Sequence, residues 1–153
     1  MEKIAIYAGS FCPFTKGHED IVAKALPLFD KVIIGIGHNI DKKEAFSESQ
    51  RQRWIQGIYN GNPKIEVIPY TGLTINLCHR VGARYLIRGV RDIRDYAAEQ
   101  ELAEINKRLA PDIETLLFFP SPEARVISST MVRELWQFGA DYSPYLSYEL
   151  PAY

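Results

Sequence analysis

Five short apolar runs, at residues 3–8, 32–36, 65–68, 85–87 and 115–119, alternate with segments whose apolar residues fall at helical spacing. This alternation limits the possible folds more than any other feature. Ile21, Val22, Ala25 and Leu28 mark a helix from about residue 17, and Ser47 or Ser49 caps one carrying Trp54, Ile55 and Ile58. Further helices are expected over 73–81, over 96–109 and from 129. The run Val32-Ile33-Ile34-Gly35-Ile36 is apolar without alternation, as in a parallel strand covered on both faces. Strand-helix repetition of this kind predicts right-handed crossovers and an α/β, doubly wound, five-stranded parallel sheet. Such sheets bind ligands outside the carboxyl ends of their strands, so the loops starting at Gly9, Gly37, Arg88 and Pro120 should border one site. A length of 153 residues suits a single domain, 1–153.

Charge narrows the partners. Eighteen Lys and Arg against nineteen Asp and Glu give a net charge of -1, too little cationic excess to hold a nucleic acid by counterion release. Arg88, Arg91 and Arg94 nevertheless cluster, which suits a small phosphorylated ligand. Cys12 and Cys78 form no CxxC pair and read as small buried hydrophobes; with no secretory or membrane-spanning stretch, the expected location is the cytoplasm, without membrane association.

The first loop, Gly9-Ser10-Phe11-Cys12-Pro13-Phe14-Thr15-Lys16-Gly17-His18, sets a hydroxyl, a glycine and a histidine where a strand hands over to a helix N-terminus. Free backbone N–H groups and the helix dipole attract anions there, and His18 can donate to a developing negative charge. GxGxxG and GxxxxGK[ST] are both absent, which excludes the two common nucleotide-loop readings. Taken alone, His18 would read as a surface or helix-capping histidine.

The last strand-to-helix loop, Ile127-Ser128-Ser129-Thr130-Met131-Val132-Arg133-Glu134, opens a helix with three hydroxyl residues. By itself the run is a good N-cap. Facing the first loop, it would form a second anion seat, which is what a triphosphate gripped along its length requires.

Together, TxGH at Thr15 to His18 and ISSTxVRE at Ile127 to Glu134 resemble the [T/H]xGH nucleotidyltransferase superfamily, and within it the pantetheine-phosphate adenylyltransferases of coenzyme A biosynthesis. The resemblance extends over Tyr7 to His18, Lys42-Lys43, Arg88-Gly89-Val90-Arg91, Glu99, Asn106 and Pro120. It implies a Rossmann-like nucleotidyltransferase fold and reversible adenylyl transfer from ATP to 4′-phosphopantetheine, giving dephospho-coenzyme A and pyrophosphate. It also implies Mg2+ carried in with the ATP phosphates, feedback inhibition by coenzyme A, and a homohexamer for which apolar residues around Tyr142, Tyr145 and Leu146 would supply contacts. No metal ligand is expected from the chain.

By the same resemblance, His18, Lys42 and Arg91 are the catalytic residues. Ser10, Phe11, His18, Gly89, Val90, Arg91, Glu99, Ala124, Arg125, Val126, Ile127, Ser128, Ser129 and Thr130 would meet ATP. Ser10, Lys42, Thr74, Arg88 and Asn106 would meet the acceptor. Without the resemblance, Lys42 reads as a solvated loop charge and Arg88 as an exposed guanidinium. An anionic acceptor phosphate is already a nucleophile, so positioning and charge stabilisation suffice without a catalytic carboxylate pair.

The chain departs from the family pattern where Cys12 replaces an Asp before Pro13, where Ala98 and Ala124 replace aromatics, and in a short tail after Glu149. Adenine packing would then be looser or borrowed from Arg125. Two other readings keep the fold: adenylyl or cytidylyl transfer to a mononucleotide or polyol phosphate, against which Thr15 speaks because HxGH is usual there, and a non-catalytic nucleotide-binding module.

Overall fold

A computed structural model describes residues 1–38, 41 and 43–153. In it, five parallel strands alternate with five helices: β1 Ile4–Gly9, α1 Lys16–Ala25, β2 Lys31–Gly37, α2 Glu48–Ile58, β3 Ile65–Tyr70, α3 Thr74–Val81, β4 Tyr85–Gly89, α4 Ile93–Leu109, β5 Glu114–Phe118 and α5 Ser129–Gln137. The strand order is β3-β2-β1-β4-β5. From β1 the chain winds outward through β2 to β3, then returns to lay β4 on the other flank of β1. The order therefore reverses between β1 and β4, whose register pairs Tyr7 with Ile87. That reversal opens a crevice at the carboxyl ends of both strands, the usual ligand position in such sheets.

Alternating side chains of β1 enter opposite layers. Ala5 and Tyr7 join Ile21, Val22, Ala25 and Phe29 under α1, while Ile6 and Ala8 join Ile75, Leu77 and Cys78 under α3. Strands covered on both faces account for the unbroken apolar run of β2, where Val32, Ile33, Ile34 and Ile36 are all buried. A third cluster lies over the first loop, where Cys12, Phe46, Val132, Leu146 and Leu150 pack with Trp54, Trp136, Tyr142, Tyr145 and Tyr148. The expectation of an exposed apolar patch at Tyr142, Tyr145 and Leu146 is thereby corrected. The segment after α5 folds back, so Leu146 is buried and both tyrosines pack against the cluster.

The helix expected from residue 96 starts earlier, at Ile93. Asp92 caps it by accepting from the N–H groups of Arg94 and Asp95. Of the residues in α4 only Glu99 is buried; Ile93, Tyr96, Leu102, Ile105 and Leu109 remain exposed, as does Phe119 after β5.

Candidate active site

Thr15 caps α1, and the cap is closed reciprocally by His18. The His18 N–H donates to Thr15 Oγ1 at 3.4 Å, and the Thr15 N–H donates to His18 Nδ1 at 2.8 Å. An imidazole nitrogen that accepts a backbone N–H carries no proton, so in the neutral ring the proton sits on Nε2. The ring stacks on Phe14 at 5.2 Å and meets the edge of Phe11 at 5.0 Å. Burial first, then the charges of Arg91 and Arg88, pushes its pKa down from 6.5 to about 3. His18 is therefore a fixed, neutral N–H donor on the wall of the crevice.

Close packing holds this loop. Phe11 adopts a left-handed backbone, with φ of 47°, and its ring meets Tyr7 and Phe14 edge-on at 5.1 Å each. A Cβ on Gly9 would stand 2.9 Å from the Phe11 ring, so the first loop needs a glycine there. At Gly17 a Cβ would lie 3.3 Å from Thr15 Oγ1 and 3.5 Å from the Ala124 carbonyl. Gly17 thus lets the loop after β5 sit against α1.

Across the crevice, Arg88 grips both oxygens of Glu99, through Nε at 2.8 Å and Nη2 at 2.7 Å, and donates from Nη1 to the Ala8 carbonyl at 2.6 Å. Arg91 Nε donates to Asp95 at 3.2 Å. α5 completes the site. Ser128 caps it by accepting from the Met131 N–H, leaving the amides of Ser129 and Thr130 at a helix N-terminus. The same helix is tied to the first loop by Ser129 Oγ donating to the Pro13 carbonyl at 2.8 Å and Arg133 donating to the Cys12 carbonyl at 2.6 Å.

The resulting crevice has a volume of about 380 Å³. On its wall lie Ser10, Phe11, His18, Arg88, Gly89, Val90, Arg91, Glu99, Ala124, Ile127, Ser128, Ser129 and Thr130 of the residues singled out from sequence. Thr74 and Asn106 line a side pocket of about 30 Å³, which shares Ala8, Arg88 and Glu99 with the crevice. The Arg88–Glu99 pair is the partition between them. Arg125 and Val126 do not line the crevice among the described residues: Val126 is exposed, and Arg125 reaches back to the Arg91 carbonyl at 3.0 Å. Arg94 and Ala98 are exposed and also off the wall, and the loop after Gly37 adds no described lining residue. Lys42 lies outside the described residues.

Sequence reasoning passed over several residues here. Asp95 lines the crevice and braces Arg91. Buried Arg51 donates to the Ser10 carbonyl at 2.5 Å and pairs with Glu44 at 2.8 Å. Asp20 accepts from the N–H and hydroxyl of Ser121, both at 2.8 Å, fastening the loop after β5 to α1. The spacing of Asp95 four residues after Arg91 was a local signal, whereas Ser10 lies 41 residues from Arg51 and Ser121 lies 101 from Asp20.

Two helix N-termini face one crevice at the reversal of a parallel sheet, with a neutral histidine donor between them, an arrangement able to receive a phosphorylated ligand. The chain belongs to the cytidylyltransferase-like family, whose model matches residues 6–135, and within it to the phosphopantetheine adenylyltransferases. A phosphopantetheine adenylyltransferase of Cytophaga hutchinsonii is 42% identical over 150 residues, covering 98% of this chain and all of that protein. One from Porphyromonas gingivalis is 45% identical, covering 95% of this chain and 94% of its own length. Among solved structures, a putative nicotinate-nucleotide adenylyltransferase from Vibrio parahaemolyticus superposes with a TM-score of 0.71 at 19% identity, covering 97% of this chain and 95% of that one. At that identity the likeness speaks for the fold alone.

Proposed function

We propose that this chain transfers the adenylyl group of ATP to 4′-phosphopantetheine, reversibly, giving dephospho-coenzyme A and pyrophosphate. A phosphate oxygen of the acceptor attacks the α-phosphorus of ATP; the new P–O bond forms as the bond to the β-bridging oxygen breaks, and pyrophosphate leaves with that electron pair. The observation that carries the reading is the fixed Nε2–H of His18, a donor suited to the charge that grows on the α-phosphoryl oxygens. Ser128, Ser129 and Thr130 at the start of α5 suit the outer phosphates. Ser10, Arg88, Thr74 and Asn106 suit the acceptor, as does Lys42 by its position in the sequence, and Arg91 with Gly89 and Val90 suits the nucleotide.

Magnesium belongs to this reading as part of the ATP complex. The two carboxylates on the crevice wall, Asp95 and Glu99, already hold Arg91 and Arg88, and no group of three acidic, histidine or cysteine side chains converges among the described residues. Such a setting suits an ion carried by phosphate oxygens and water. Coenzyme A contains the acceptor's pantetheine arm, so inhibition by it would act by competition with the acceptor. A homohexamer is supported by the exposed apolar side chains of Leu102, Ile105 and Leu109 along one side of α4 and by Phe119 just after β5, 78% exposed in the single chain. Among the described residues no helix is long and apolar enough to cross a membrane, which accords with a cytoplasmic enzyme.

The reading is tested by pyrophosphate release from Mg–ATP with 4′-phosphopantetheine, nicotinamide mononucleotide and glycerol 3-phosphate offered in parallel. Release with phosphopantetheine alone is expected. Release with another acceptor instead would move the activity to a sister branch, and none with any would indicate a nucleotide-binding module.

A further inference from the structure

Three interactions meet on one peptide unit of the first loop. The Thr15 N–H donates to His18 Nδ1 at 2.8 Å. The carbonyl of that same peptide belongs to Phe14 and accepts the hydroxyl of Tyr148, 134 residues away. The Phe14 ring stacks on the His18 imidazole at 5.2 Å.

We infer that Tyr148 is a positioning residue for His18, acting through the Phe14–Thr15 peptide. The inference rests on the reading of His18 as the donor to the reacting phosphate. A hydrogen bond accepted by a carbonyl polarises its amide and strengthens the bond that the N–H of the same unit donates. Tyr148 thereby favours the arrangement in which Nδ1 accepts and Nε2 carries the proton toward the crevice. The phenol is itself held in place, stacked on Trp54 at 5.0 Å with 16° between the rings. Burial, reinforced by nearby Glu19, raises its pKa, so it remains a donor through the neutral range. Neighbouring Ser147 donates instead to Glu19 at 2.6 Å and has no part in the relay.

The test is Tyr148→Phe, which keeps the ring on Trp54 and deletes only the hydroxyl. Its kcat for pyrophosphate release should fall about five- to tenfold, with KM for ATP and for phosphopantetheine within about twofold of the parent. Long-range 1H–15N spectra should show the His18 nitrogens moving from a pure Nε2–H form toward a mixture of tautomers. In a His18→Ala background the same substitution should leave the residual rate unchanged, and Ser147→Ala in the parent should change neither rate nor spectrum. An unmoved His18 spectrum, an equal rate loss without His18, or an equal effect of Ser147→Ala would overturn the inference. The spectrum also separates the two claims: a parent inactive toward phosphopantetheine whose His18 nitrogens still respond to Tyr148→Phe would support the coupling while sinking the assigned reaction.

Discussion

Arg88 and Glu99 meet as a two-pronged ion pair, with N–O separations of 2.8 and 2.7 Å, across the boundary between the crevice and its side pocket. With the Ala8 carbonyl as a third acceptor, three of the five guanidinium N–H groups are engaged and two remain for a ligand. Glu99 thus orients the cation, and under the proposed function the two remaining N–H groups would meet the acceptor's phosphate.

Removing Glu99 leaves that cation with one partner among protein atoms. Glu99→Ala should cost about 2–3 kcal/mol of stability in urea unfolding and raise KM for the acceptor, below the range of about 3–5 kcal/mol for fully buried pairs because the Arg88 side chain is 31% exposed. The pair of substitutions Arg88→Met and Glu99→Leu should be less destabilising than Glu99→Ala alone, although inactive. A double variant less stable than Glu99→Ala would show that the pair is worth more than its desolvation.

His18→Ala should lower kcat by about 10²–10³-fold while changing KM for ATP by about threefold at most, because its contact strengthens as charge develops on the transferred group. Steady-state kinetics checks this; a rise in KM with unchanged kcat would make His18 a ground-state binding group.

The lowered pKa of His18 also predicts a pH dependence of stability. Its folded value of about 3 lies below the ordinary 6.5, so between those values the unfolded chain binds a proton that the folded chain does not. Its contribution is complete above pH 6.5 and declines as the pH falls toward 3. Relative to His18→Gln, the urea midpoint should therefore drop more steeply on acidification from pH 6.5 to 4, whereas parallel lines would indicate a solvated histidine.

Gly9→Ala drives a methyl group to 2.9 Å from the Phe11 ring, which itself abuts His18. Because Phe11 is buried, the loop must shift to accept it, costing about 1–3 kcal/mol and at least about tenfold in kcat. Thermal melts with turnover assays check both parts.

Ser128→Ala removes the cap of α5. Loss of about 1 kcal/mol is expected, together with weaker ATP binding by titration calorimetry, since the N-terminal turn proposed to receive the outer phosphates would fray. Unchanged ATP affinity would place the triphosphate elsewhere.

Much of this was legible because it is local. The strand runs report burial on two faces, and the hydroxyl run opening at Ser128 reads as the helix cap it is, whereas Glu99 and Asp95 reach the crevice wall from within α4 rather than from a strand end. α4 began three residues earlier than its apolar spacing suggested because Asp92, a polar cap, sets its start. Arg51, Asp20 and Tyr148 were not legible. Each matters through a partner 41, 101 or 134 residues away, so only the folded chain brings donor and acceptor together. The aromatic segment around Tyr142 and Tyr145 reads as surface until it is seen to fold back over Cys12 and Phe46.

The most direct test of the central claim runs the reaction backwards, with dephospho-coenzyme A and Mg-pyrophosphate supplied and ATP detected by light emission from luciferase. ATP formation by the parent protein, reduced about 10²-fold or more by His18→Ala, is the predicted result. No ATP from dephospho-coenzyme A, or equal ATP from both proteins, would contradict it.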